Sequence, residues 1–198
     1  MRSGLRVFLS HTSDMNSYPT DRTFVRAAAD AIRRSGHIAI LMEDFPAASS
    51  QPASYCQQQV RRCDVYVGVI GFRYGSLVTE GMHGDGGAVM PEAGAPSAMF
   101  SEVPPAGAPA VSYTELEFLT AAQSGIPRLL FLLDDETPIP RRLSDSNLDL
   151  VDAFRARLRA AGVIVGSFRT ADRLETQVTF ALTQLLHRGA VDLDLLLD

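Results

Sequence analysis

The segment CDVYVGVIGFRYGS, Cys63 to Ser76, decides the fold. Its opening run, CDVYVGVI, is apolar and rich in valine, follows Arg61-Arg62 and is closed by Gly71. A short run that is apolar at consecutive positions reads as a strand covered on both faces, and such strands lie at the centre of parallel sheets. GFRYGS, with glycine at both ends, reads as the loop that follows it.

Working outward, strands and helices alternate. Toward the N-terminus, LRVFLS (Leu5–Ser10) and HIAILM (His37–Met42) read as strands. Between them a helix is expected over Asp21–Ser35, with Phe24, Val25, Ala28, Ala31 and Ile32 on one side and Gly36 as its stop. A second helix is expected over Pro52–Arg62, with Ser49 or Ser50 as its cap. Toward the C-terminus, a helix over Tyr113–Ser124 ends at Gly125, and RLLFLL forms a fourth strand before the turn DDETPIP. A helix over Leu148–Ala161, a fifth strand VIVGSF and a last helix from Thr170 to about His187 complete the pattern.

This alternation predicts an α/β, flavodoxin-like fold: a five-stranded parallel sheet, order 2-1-3-4-5, with helices on both faces. One domain is expected over 1–189. It is interrupted after the third strand by a Gly/Ala/Pro-rich insertion at about 77–110, read as largely mobile. Met90, Met99 and Phe100 are the insertion residues with the means to dock on the domain. Residues 190–198 read as a tail, a further half-helix or the start of a linker in a longer chain.

Composition narrows the chemistry. The chain has 198 residues and a net charge of -5, so a cationic nucleic-acid surface is not expected. Every one of its 18 Lys+Arg residues is arginine, which excludes Schiff-base lysines, phosphate-loop NTPases and protein kinases. Cys56 and Cys63 are too far apart on a helix to form a disulfide, follow no zinc spacing, and are expected as buried reduced thiols. No run approaches a membrane span or a secretory signal, so a cytoplasmic protein without a metal or a resident cofactor is expected.

Ligands of open α/β sheets collect beyond the carboxyl ends of the strands. That edge is expected to carry Ser10, His11 and Thr12, then Glu43 and Asp44, then Gly71–Ser76. There Arg73 offers a fork for phosphate, Tyr74 a ring to stack on, and Gly71 and Gly75 a close backbone approach. The helix VSYTELEFLTAAQSGIP (Val111–Pro127) reaches the same edge with two acids, Glu115 and Glu117, about 200° apart around its axis. Leu116, Leu119 and Thr120 are expected to form its core stripe. Spacing alone does not choose between the glutamates. His11 in HTSD lacks the nucleophile-elbow context of a hydrolase, His83 is weaker still, and GDGG at 84–87 lacks the setting of a dinucleotide fingerprint.

The run VFLSHTSD (Val7–Asp14) resembles the opening strand and loop of Toll/interleukin-1 receptor (TIR) domains. With CDVYVGVIGFRYGS, SYTELEF and GIPRLLFLL, it looks like the TIR-like subfamily found at the N-terminus of STAND-type NTPases. The resemblance spans about Leu5 to Leu133 and leaves the insertion out. It implies a flavodoxin-like fold, a signalling or effector role in bacterial defence or stress signalling, self-association and, in the enzymatic branch, hydrolysis of the nicotinamide–ribose bond of NAD+. It assigns the key carboxylate to Glu117, with Ala121 four residues on, Gly125 eight on and Pro127 ten on. With that assignment, the substrate-binding set expected at this edge is Ser10, His11, Thr12, Asp44, Phe45, Arg73, Tyr74 and Ser112. Ser112-Tyr113 stands where TIR domains commonly carry a Trp-Cys pair, and this chain has no Trp. The same register resembles nucleoside deoxyribosyltransferases, which also cleave N-glycosidic bonds. A non-catalytic self-association module of the same fold is the other alternative.

Overall fold

The computed structural model describes residues 4–44, 53–78 and 111–194. Five strands run parallel: β1 (Arg6–His11), β2 (Ile38–Ile40), β3 (Val65–Ile70), β4 (Arg128–Leu133) and β5 (Val165–Phe168). They lie in the order β2-β1-β3-β4-β5, the expected flavodoxin-like winding. Every residue of β3 is buried, because this strand has a neighbour on each side and helices over both faces.

Five helices link the strands: α1 (Phe24–Arg34), α2 (Ala53–Arg61), α3 (Tyr113–Gln123), α4 (Leu148–Arg159) and α5 (Ala171–Asp194). Strand alternation divides the core in two. Val7, Leu9, Val65, Val67, Val69, Phe131 and Leu133 face α1 and α5, where Phe24 meets Phe168 edge-on at 4.9 Å. Phe8, Tyr66, Ile70, Leu130 and Leu132 face Val60 of α2, Phe118 of α3 and Phe154 of α4.

Helix ends follow the local chemistry. Thr23, Ser112 and Asn147 cap α1, α3 and α4 by accepting backbone N–H groups, and Thr170 accepts from Arg173 N at the start of α5. Gly36, Gly125 and Gly162 follow helices with φ of 80°, 67° and 72°, values that suit glycine at a helix exit. Boundaries shift in places. Helix α1 begins at Phe24 rather than Asp21, because the Thr23 side chain accepts from Arg26 N. Helix α5 continues past His187 to Asp194. Strand β5 begins only at Val165, leaving Ile164 87% exposed.

Leu77 pairs with Ser112 in an antiparallel bridge, and Val78 N donates to Val111 O at 2.9 Å. The two ends of the intervening segment therefore meet beside the N-terminus of α3. Phe45, the Ser49/Ser50 caps, His83, GDGG and the docking residues Met90, Met99 and Phe100 lie outside the described residues. Among the described residues, no helix is long and apolar enough to cross a membrane.

Candidate functional site

Ser10 is next to last in β1, on the face covered by α2 and α3. Its register partner on β3 is Gly68, where a Cβ would press on Leu130 and on the Tyr66 ring at 3.0–3.1 Å. Ser10 and Glu117 are 1% and 3% exposed, and Cys56 of α2 is fully buried. The Ser10 hydroxyl donates to Glu117 Oε2, and the Cys56 thiol donates to Oε1 at 3.1 Å. Among the described residues, Glu117 has no ion-pair partner within 4 Å, so a buried carboxylate is held by two neutral donors.

Burial pushes the Glu117 pKa above its ordinary value, while Ser10, Cys56 and the nearby His11 pull the other way. Burial and the adjacent Glu117 push the Cys56 thiol far up, so it stays protonated. Tyr66, on β3, is fully buried, and its hydroxyl has no partner in hydrogen-bond geometry; burial and then Glu117 push its pKa up, while the nearby Ser10 hydroxyl pulls it down. The carboxylate thus sits among Ser10, Cys56 and the tyrosine ring.

His11 faces a different neighbour. Its Nε2 lies 2.9 Å from Glu43 Oε1, in the short turn after β2, and its Nδ1 lies 3.2 Å from Thr12 O. Burial opposes the charge on His11, yet the hydrogen bond and charge of Glu43 carry its pKa above the ordinary value. The His11 hydrogen bond in turn holds Glu43 below the usual carboxylate range.

The loop GFRYGS is occupied by the protein itself. Gly71 N donates to Thr12 Oγ1 at 3.0 Å, Phe72 N to Asp14 Oδ2 at 2.7 Å, and Tyr74 N to Asp145 Oδ2 at 3.3 Å. The open backbone approach expected at Gly71 is therefore taken: a Cβ there would fall 2.0 Å from Asp14 Oδ2. Arg155 of α4, 2% exposed, donates to Gly71 O at 2.8 Å, Leu133 O at 2.6 Å and Asp135 at 2.6 Å. Its guanidinium lies 5.0 Å from the centre of the Phe72 ring.

The sequence-predicted residues separate into groups. Ser10 and Glu117 meet, and Cys56, which was not among the expected site residues, joins them. Thr12 holds Gly71, and His11 holds Glu43. Ser112 caps α3 through Glu115 N at 3.2 Å. Arg73 donates to Arg142 O at 2.7 Å and Ser13 Oγ at 3.4 Å, away from Glu117. Tyr74 is 5% exposed, packs edge-on against Phe154 and donates its hydroxyl to Glu115. Asp44 closes the turn after β2. The expected stripe on α3 holds at Thr120, which is buried, and is corrected at the leucines: Leu116 is half-buried and Leu119 38% exposed, while Glu115, Glu117, Phe118 and Ala121 are buried. Hydropathy favours the leucines as the core side, whereas this helix turns both of its carboxylates inward.

Cys56 was missed as a partner of Glu117, although its burial was expected, because the contact joins residues 61 positions apart. Grooves lie elsewhere: one of about 510 Å³ at Asp134–Glu136, Ser167 and Arg169, and one of about 550 Å³ between the end of α1 and α5. Glu117 lines neither. Among the described residues, no cluster of three His, Cys, Asp or Glu is placed to hold a metal.

Residues 6–183 match the model of a protein family described as a domain of unknown function, DUF4062. The chain belongs to the DUF4062 family. No curated protein matches this DUF4062 chain. Solved structures similar to it include a CMP N-glycosidase, BcmB, from Clostridium botulinum, at 12% identity and a TM-score of 0.44, over 89% of this chain and 98% of that one. The flavodiiron core of Flv1 from Synechocystis sp. PCC6803 is similar at 13% identity and 0.43, over 93% of this chain and 37% of that one. The TIR domains of the activated Roq1 resistosome are similar at 12% and 0.38, over 89% and 82%. Likenesses of this size carry no argument about the chemistry of this DUF4062 chain.

Proposed function

We propose that this chain is a TIR-like N-glycosidic bond hydrolase acting on the nicotinamide–ribose bond of NAD+, with Glu117 as the key carboxylate. The observation that carries the reading is the state of Glu117, buried at the carboxyl edge of the sheet with neutral donors in place of a cation. A carboxylate left in that state costs stability, and perturbed buried groups of this kind concentrate at functional sites. The TIR-like register assigns the role to the same residue.

The chemistry is balanced without an acid partner. The bond between ribose C1′ and the nicotinamide nitrogen breaks, its electron pair goes to the ring, and neutral nicotinamide leaves. The electron-poor sugar centre is stabilised or captured by the Glu117 carboxylate, and water then adds to C1′ with release of a proton. Ser10 keeps Oε2 in place during this change. Within a larger protein, such a domain acts as a signalling or effector module beside NTPase or sensor domains, in bacterial defence or stress signalling, and self-associates.

Free nicotinamide, measured after incubating concentrated protein with NAD+ under crowding, tests the reading. Release that disappears in Glu117→Ala supports it; no release, or release unchanged in that variant, overturns it. Base exchange on deoxynucleosides with NAD+ untouched selects a deoxyribosyltransferase-like reaction instead. A second reading, a non-catalytic self-association module, is favoured by a different observation: Glu117 lines neither of the two grooves. A Glu117→Ala protein that keeps every cellular effect, while interface variants lose them, selects it.

A further inference from the structure

The donor on Glu117 Oε1 has two acceptors within reach. Cys56 Sγ lies 3.1 Å from Glu117 Oε1 and 3.6 Å from Met42 Sδ, in the turn after β2. A thiol carries one hydrogen and can serve only one of them at a time. We propose that Cys56 is a positioning residue for Glu117: its S–H holds Oε1 in the resting site and turns to Met42 when Oε1 engages the sugar centre of a bound N-glycoside. The inference rests on the N-glycosidic reading above.

Three features support it. Oε2 has its own donor in Ser10, so Oε1 is the oxygen that can be freed without releasing the whole carboxylate. The thiol is a weak donor, so leaving the carboxylate for the Met42 thioether costs less than the same exchange would cost a hydroxyl. A stronger hydroxyl donor would hold the carboxylate back. Cys56, on α2, is fully buried and in contact with Met42 of the turn after β2, so water does not compete for its hydrogen. The groups that act on Glu117 are Ser10 and His11 from β1, Glu43 from the turn after β2 and Cys56 from α2; Tyr66 of β3 is in turn acted on by Glu117. Of these, Cys56 alone has a second acceptor in a thioether.

The test is a carbon-13 NMR titration of the Glu117 carboxyl in glutamate-labelled protein, with Glu117→Gln identifying the signal. Cys56→Ala is expected to move the midpoint up by about one pH unit, and Cys56→Ser to bring it back to the native value or below. A packing role alone would lower Tm in both variants and leave the Glu117 midpoint where it is, which overturns the inference. Should Cys56→Ala not fold, the S–H infrared band of Cys56 decides, read in otherwise native protein after Cys63→Ser removes the other thiol. A band that shifts as Glu117 titrates supports the inference; a band that stays fixed overturns it. Neither readout needs turnover. A Cys56-dependent titration without nicotinamide release overturns the NAD+ reading alone, and release with a Cys56-independent titration overturns this inference alone.

Discussion

Glu115 and Glu117, two positions apart on α3, turn their carboxylates to opposite sides and share no partner. Glu115 accepts Nε and Nη2 of Arg157 at 2.7 and 2.9 Å, and the Tyr74 hydroxyl. It braces α3 against α4 and the loop after β3. Glu117 meets Ser10 and Cys56 and has no cation within ion-pair distance among the described residues. One acid serves the architecture, and the other is carried at its expense.

That difference predicts opposite effects of the same substitution. The folded pKa of Glu117 is raised, with burial as the main cause, so folded protein holds this proton more tightly than unfolded protein does. Its contribution to stability is present below the ordinary value of 4.5 and is lost as pH rises through the folded pKa. Glu117→Gln should therefore melt about 2–4 °C above the native protein at pH 7, with the advantage vanishing toward pH 4. Glu115→Gln should lose about 1 kcal/mol, a modest figure because Arg157 is half-exposed, and should keep nicotinamide release. Thermal melts at the two pH values and one release assay check both variants.

The His11–Glu43 pair predicts a stability window. His11 contributes fully below its ordinary value of 6.5 and loses that contribution as pH rises through its raised folded pKa. Glu43 contributes above 4.5 and loses its share as pH falls through its lowered folded pKa. Glu43→Gln should cost most near about pH 5.5 and little above about pH 9. The cost is small, below about 1 kcal/mol, since Glu43 is 45% exposed. Urea melts across that range measure it; a cost constant with pH would remove the ion pair from the account.

Arg155 joins the carboxyl ends of β3 and β4 from α4. Arg155→Leu leaves the Gly71 and Leu133 carbonyls without this donor in a buried place and should cost about 3 kcal/mol. The urea midpoint should fall by a corresponding amount. A loss under about 1 kcal/mol would mean that water replaces the guanidinium.

Gly71 and Asp14 are coupled by contact. Gly71→Ala places a methyl group against Asp14 Oδ2 and Met15 Cε, at 2.0 and 2.5 Å from their present positions. The variant should be destabilised by about 2 kcal/mol. Asp14→Ala, which removes the obstructing oxygen, should cost less in the Gly71→Ala background than alone. Additive losses would place the strain elsewhere.

The strand order was legible because short apolar runs and glycine stops punctuate this chain. CDVYVGVI reads as central from its valines, and β3 is the strand buried at every position. The candidate site was only half legible. Helical spacing separated Glu115 from Glu117, but hydropathy misplaced the core side of α3, where polar groups point inward. Nothing in the sequence singles out Arg155, and the convergence of two strand ends on its guanidinium accounts for its burial. Cys56 gives no local sign of its role, since its partner is brought to it by the crossover from β3 to α3.

The bridge between Leu77 and Ser112 has an evolutionary consequence. Once two chain ends are fastened together, the entropy of closing what lies between them grows only logarithmically, about 0.6 kcal/mol for each doubling of length. Residues 79–110 can therefore lengthen, shrink or change composition at little thermodynamic expense to the sheet. Because the fastening includes the residue that caps α3, the fold tolerates such variation one turn from the helix that carries Glu117.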